Sequence, residues 1–176
     1  MAPLERGLIQ VYTGKGKGKT TAALGTVLRA VGHGLAVFIV FFMKGDPRYG
    51  EQKALALLPR VAFERTGSLR HVNPSKVTEE DRAEVRKALE AARRAMLSGE
   101  YDIVILDEVN VALSWGLMEF DEVAKLIAQK PPQVELILTG RYAPPQLLEL
   151  ADLVTEMAEV RHPYSKGVLA RRGLDY

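Results

Sequence analysis

The stretch Leu8–Gly34, LIQVYTGKGKGKTTAALGTVLRAVGHG, constrains this chain more than any other. Leu8, Ile9, Val11 and Tyr12 form a short apolar run that predicts a buried strand. Glycine, lysine and threonine alone fill Thr13 to Thr20. From Thr21 the apolar residues Ala23, Val27, Leu28 and Val31 recur at helical spacing, and Gly32-His33-Gly34 reads as the helix end. Strand, glycine loop and helix together are the context in which a phosphate-binding loop works. Gly14, Gly16 and Gly18 let backbone N–H groups approach an anion, and the helix N-terminus adds partial positive charge. Lys19 supplies a cation, and the Thr20 hydroxyl suits the Mg²⁺ that accompanies phosphates. The pattern G-x-x-x-x-G-K-[ST] is broken at one place: Thr13 stands where the first glycine belongs, with Gly14 one position later. The alternative reading, a basic surface turn that binds nothing, leaves the flanking strand and helix unexplained.

Composition narrows the class. At 176 residues the chain is expected to form one domain, 1–176, with a proper core. Hydrophobic residues at 47% and charged residues at 26% match an ordinary soluble protein. A net charge of +2 is too small to argue for a nucleic-acid or membrane partner, so neither is expected. The absence of cysteine excludes disulfides, thiolate metal sites and cysteine nucleophiles. MAPLERG lacks an apolar signal core and no run is long enough to span a bilayer, so a cytoplasmic location is the expectation.

Further along, Ala36–Phe42 is apolar throughout, as suits a parallel strand covered on both faces. The polar loop Met43–Glu51 leaves its C-terminal end, where ligands bind in open α/β sheets, and is a candidate wall of the site. A short helix over Gln52–Leu58 and a strand over Val61–Arg65 follow. Thr66–Val77 is irregular and basic. Thr78 and Asp81 predict a capping box for a long helix whose apolar face is Val85, Ala88, Leu89, Ala92 and Met96. Val109–Trp115 and Phe120–Gln129 read as helices, Val134–Leu138 as a strand, Pro144–Leu150 as a helix and Leu153–Met157 as a sixth strand. The tail, His162–Tyr176, is polar and glycine-punctuated, either a loose end or a lid. His33, His71 and His162 have no metal-ligand spacing.

Tyr101–Leu106 predicts a buried strand ending in Asp107-Glu108. A carboxylate at a strand end is the second half of phosphate-loop chemistry, which makes Asp107 the metal-side acid, acting directly or through water. Glu108 is open to two roles, polarising a water or hydrogen-bonding a substrate.

With these residues placed, the chain resembles the P-loop class of ATP:corrinoid adenosyltransferases of cobalamin metabolism. The matching stretches are YTGKGKGKTTAALGTVLRAVGHG (12–34), FMKGDPRYGE (42–51), VILDE (104–108), ILTGR (137–141) and HPYSKGVLARRGLDY (162–176). The resemblance implies an α/β, recombinase-like P-loop NTPase fold: a mostly parallel six-stranded sheet with helices on both faces, in a homodimer. It implies ATP and cob(I)alamin or another corrinoid as substrates, Mg²⁺ or Mn²⁺ as cofactor, and a flavoprotein or other reductant for Co(II). Lys19, Thr20 and Glu108 would be catalytic. Gly14, Lys15, Gly16, Lys17, Gly18, Thr21 and Arg29 would join them in holding the nucleotide, and Thr20 and Asp107 would face the metal. Two features depart from the family's pattern. The segment ahead of the first strand is short, and Ser68-Leu69-Arg70 replaces the aromatic residues that shield the lower cobalt face. Leu69 is therefore the expected shield, with Trp115 and Met118 as the other candidates. The competing functions are a P-loop ATPase or kinase and a nucleotide-dependent binding module.

Overall fold

The computed structural model describes residues 4–70 and 72–175; His71 and Tyr176, the end of the GLDY motif, lie outside the described residues. In chain order the elements are β1 (Ile9–Thr13), α1 (Lys19–Gly32), β2 (Val37–Phe41), α2 (Gly50–Leu55), β3 (Val61–Arg65), α3 (Glu79–Leu97), β4 (Ile103–Asp107), α4 (Val109–Ser114), α5 (Phe120–Ala128), β5 (Glu135–Thr139), α6 (Pro145–Glu149) and β6 (Leu153–Glu156). The strands form one sheet in the order β3-β2-β4-β5-β1-β6. Every pairing is parallel, where the sequence predicts a mostly parallel sheet.

The continuous apolar runs are explained by burial on both faces. Along β2, Val37, Ile39 and Phe41 point into one core with Ala23, Val27 and Ala30 of α1. Phe38 and Val40 point into the other, with Val85, Ala88 and Ala92 of α3. β4 divides in the same way, Ile103 and Ile105 on the α1 side and Val104 and Leu106 on the α3 side. Truncating a fully buried side chain such as Phe41 to Ala would cost about 3–5 kcal/mol. The edge strand β6 is exposed along its length.

Helix boundaries follow local chemistry. α1 begins at Lys19, two residues before the expected start, because Gly18 takes a left-handed φ of 117° and releases the chain into the helix there. At its other end the His33 N–H donates to the Ala30 carbonyl at 3.0 Å and the Gly34 N–H to the Val31 carbonyl at 2.8 Å. The capping box of α3 is complete: Asp81 N–H donates to Thr78 Oγ1 at 3.2 Å, and Thr78 N–H to Asp81 Oδ2 at 2.9 Å. α2 starts two residues early, at Gly50, and stops at Leu55, three short of the expected Leu58; turns fill 56–60.

Because all six strands run the same way, their carboxyl ends share one edge. That edge gathers the glycine loop after β1, the Met43–Tyr49 loop after β2, Glu108 after β4, the Gly140–Pro144 turn after β5 and the segment after β6. The tail returns to the same edge through a 3₁₀ turn at Pro163–Lys166.

Candidate functional site

The glycine loop is docked on the chain that leaves β6. Gly16 N–H donates to the Met157 carbonyl at 2.7 Å. Gly14 has φ 94°, and a Cβ there would sit 2.5 Å from the Met157 oxygen, so both its conformation and the close approach require glycine. Thr13 departs from the loop pattern because it belongs to the strand. It is the last residue of β1, paired with Glu156, and its buried Oγ1 accepts the Ala143 N–H at 3.2 Å.

Lys19 is buried at the first turn of α1 and donates to the Gly14 and Gly16 carbonyls at 2.8 and 2.6 Å. Its ammonium is thereby held within the curl of the loop. Burial pulls it below the ordinary lysine range; Glu108 opposes this, Arg141 adds to it and Asp107 opposes it. Thr20 Oγ1 donates to Asp107 Oδ1 at 2.8 Å, and Thr139 Oγ1 donates to the same oxygen at 2.7 Å. Lys44 Nζ donates to Asp107 Oδ2 at 2.6 Å. Asp107, only 1% exposed, thus ties together α1, β4, β5 and the loop after β2.

Glu108 follows in a left-handed conformation, φ 68°, at the start of α4, and its N–H donates to Thr139 Oγ1 at 3.1 Å. Burial and the adjacent Asp107 push its carboxyl above the usual range, with Lys44, Lys19 and Arg141 opposing. The turn after β5 is close-packed: a Cβ on Gly140 would lie 3.0 Å from Asn110 Cβ, and Asn110 Nδ2 donates to the Tyr12 and Gly140 carbonyls.

These groups face a cavity of about 980 Å³ at the carboxyl edge of the sheet. Its floor is the Gly16–Thr21 stretch with Leu24 of α1. Lys44, Tyr49, Gly50 and Glu51 form one wall, Glu108 and Arg141 another, and parts of 158–175 the roof. The tail is folded across the loop: Lys17 Nζ donates to the Leu174 carbonyl at 2.7 Å and pairs with the Asp175 carboxylate. Arg171 holds the other Asp175 oxygen through its backbone N–H and its Nε.

Of the residues singled out from the sequence, Gly16, Lys17, Gly18, Lys19, Thr20, Thr21 and Glu108 converge on this cavity. Gly14 and Asp107 support it from behind. Lys15 is exposed beside it. Arg29 is not brought to it: it lies exposed in the last turn of α1, ten residues beyond Lys19, which is about 15 Å along a helix. Leu69 stands 77% exposed outside the cavity, while Arg70 beside it is anchored to Asp81 at 2.8 Å. Met118 is buried in the α3-side core and Trp115 packs against that core, so neither side chain is available as a shield. The apolar groups that do line the cavity include Val160, Val168, Leu169 and Leu174 of the tail. Lys44 and Arg141 lie in two of the stretches that match the family, 42–51 and 137–141, but no side-chain pattern singles either out there; each sits in a polar loop at the C-terminal end of a strand.

The Thr20–Asp107 pair offers hard oxygen donors of the kind Mg²⁺ takes, and no group of three or more His, Asp or Glu among the described residues could hold a metal ion. That donor set fits Mg²⁺, which keeps several waters and takes ligands from substrate phosphates rather than a full protein cage.

An all-parallel α/β sheet with a glycine loop at its carboxyl edge and an acid at the end of a neighbouring strand defines a protein of the P-loop NTPase class. Within that class the chain belongs to the family ATP:corrinoid adenosyltransferase BtuR/CobO/CobP, whose pattern it matches over residues 5–176. It is 38% identical over 172 residues to the corrinoid adenosyltransferase of Escherichia coli K12, covering 98% of this chain and 87% of that protein. The Pseudomonas aeruginosa corrinoid adenosyltransferase is 34% identical, again over 98% of this chain and 85% of its own length. An uncharacterized Nostoc protein is 41% identical over 93% of this chain, which spans about half of it, 47%.

Proposed function

We propose that this chain is an ATP:corrinoid adenosyltransferase, moving the 5′-deoxyadenosyl group of ATP to the Co(I) of a corrinoid. The observation that supports this best is the ring of cations, Lys17, Lys19, Lys44 and Arg141, around one cavity beside the glycine loop, in a chain matched to that family along its length. The nucleophile belongs to the corrinoid. Co(I) supplies the electron pair of the new Co–C5′ bond, the C5′–O bond breaks, and its pair leaves with triphosphate. No protein base takes part. What the protein supplies is position and charge: amides and cations against a highly charged leaving group, and a fixed line between C5′ and cobalt. Thr20 would hold Mg²⁺, with Asp107 behind it, and Mg²⁺ would supply further neutralisation of the triphosphate. Glu108 orients substrates, and the tail, 162–175, closes the site.

In this reading the whole chain is one nucleotide-binding unit acting in the cytoplasm as a homodimer, with a flavoprotein or other reductant delivering the electron that converts Co(II) to Co(I). Among the described residues no helix is long and apolar enough to cross a membrane. One observation favours a second reading: a carboxyl raised by burial, as Glu108 is, suits a general base, and would serve an ATPase or kinase that cleaves the β–γ bond. An anaerobic assay with prereduced corrinoid tests the proposal. ATP-dependent loss of the Co(I) absorbance supports it, and Co(I) that stays unchanged while ATP is consumed contradicts it.

A further inference from the structure

Lys44 is a cation of the site whose own contacts no step above uses. It follows Met43, whose left-handed φ of 57° turns the chain back at the end of β2. Its side chain is 13% exposed, its Nζ lies 2.6 Å from Asp107 Oδ2, and the Tyr49 ring sits 5.4 Å from it. The opposite carboxylate oxygen is already taken by the Thr20 and Thr139 hydroxyls. Both oxygens of a buried carboxylate are therefore fixed from three directions. Such a pair is rigid because separating it leaves a charge without a partner away from water.

We infer that Lys44 is a positioning residue for the glycine loop: by holding Asp107 through Oδ2 it fixes Oδ1 beneath the Thr20 hydroxyl, and so sets the first turn of α1 for a polyphosphate. The inference rests on reading this cavity as a triphosphate site. Lys44 acts here through Asp107, so its effect must disappear when Asp107 no longer carries a charge. A lysine that touched phosphate itself would keep its effect.

The test is a double-mutant cycle read by calorimetric binding of inorganic triphosphate in Mg²⁺ buffer, without corrinoid. Wild type is measured first, and its failure to bind triphosphate would sink the triphosphate reading and this inference with it. Given wild-type binding, Lys44→Met should weaken it about tenfold and Lys44→Arg by less than about threefold, the scale of coupling within one charged network. Lys44→Met in an Asp107→Asn chain should then cost nothing further. An additional loss of about tenfold in that background would assign Lys44 to direct phosphate contact and overturn the inference, as would unchanged binding by folded Lys44→Met. Should Lys44→Met alone fail to fold, the comparison of Asp107→Asn with Lys44→Met/Asp107→Asn, the second of which carries neither charge of the pair, still decides. Thermal unfolding of each variant separates lost binding from lost fold.

Discussion

The Thr20 hydroxyl meets Asp107 Oδ1 at 2.8 Å across 87 positions of sequence. One hydrogen bond therefore joins the helix that opens after β1 to the end of β4, two strands away in the sheet. Thr20→Val keeps the shape of the side chain and removes the donor. It should lower kcat by tenfold or more and raise the Mg²⁺ concentration needed for half-maximal rate, since a hydrogen bond to a charged group is worth about 1.5–3 kcal/mol. A Mg²⁺ titration of the steady-state rate measures both effects.

Lys19→Ala should preserve the fold and reduce turnover at least about tenfold, because one charge-assisted phosphate contact is lost. Circular dichroism and the same rate assay check the two parts. Near wild-type turnover in a folded variant would remove the glycine loop from the mechanism.

Gly16→Ala and Gly25→Ala make a contrasting pair. A Cβ on Gly16 would stand 2.6 Å from the carbonyl oxygens of Met157 and Ala158, which are backbone and have little room to move. Undocking the loop should cost about 1–3 kcal/mol, and activity with it. Gly25 has no atom within 4 Å of such a Cβ and lies in mid-helix, so alanine there should stabilise by about 0.5–1 kcal/mol. Thermal denaturation distinguishes a lowered midpoint in the first from a raised one in the second.

Glu108→Gln separates positioning from base catalysis. Burial, then Asp107, raise the folded-state carboxyl above its unfolded value. For an acid, such a shift favours the folded state in acid, and that contribution is lost as pH rises from the unfolded value through the folded one. Glutamine removes the penalty, so the variant should melt a few degrees above wild type at pH 7 to 8, the gain vanishing at about pH 4 and below. Its pH–rate profile should keep the shape of the wild type's. Loss of a basic limb on substitution would instead support the β–γ-cleaving alternative.

The tail should respond to acid in the opposite sense. Hydrogen bonds from Lys17, then from the Arg171 backbone and side chain, hold the Asp175 carboxyl well below the usual range. That contribution is present above the unfolded value and lost as pH falls through the folded one. Asp175→Asn should therefore speed limited proteolysis at Lys166 and Arg171 at neutral pH while moving the melting midpoint little, since the pair is solvent-facing. Equal cleavage rates in the variant and wild type would mean that Asp175 does not hold the tail.

Much of this architecture was legible in the residues. Apolar runs marked β1, β2, β4 and β5, two or three apolar residues in VAFER and LVTEM marked β3 and β6, and glycine, lysine and threonine between the first run and a helical pattern marked the loop. What stayed hidden depends on contacts distant in sequence. Lys44 stands in the family-matched stretch FMKGDPRYGE, but nothing there ties it to Asp107 until the parallel sheet sets the end of β2 beside the end of β4, pairing Phe41 with Asp107. Arg141 reaches the cavity only because β5 lies between β4 and β1. The apolar roof residues Val168, Leu169 and Leu174 sit in a stretch too short and polar to show any period, and their placement follows from the Lys17–Asp175 contact. Leu69 and Arg29 lie outside the cavity, Leu69 77% exposed and Arg29 exposed in the last turn of α1.

Which bond of ATP breaks separates adenosyl transfer from β–γ cleavage, and product analysis by phosphorus NMR reads that directly. With Co(I) corrinoid, Mg²⁺ and ATP under anaerobic conditions, an adenosyltransferase yields inorganic triphosphate, equimolar with adenosylated corrinoid, and no ATP is lost when corrinoid is omitted. ADP and inorganic phosphate formed without corrinoid, and no triphosphate with it, would rule out adenosyl transfer.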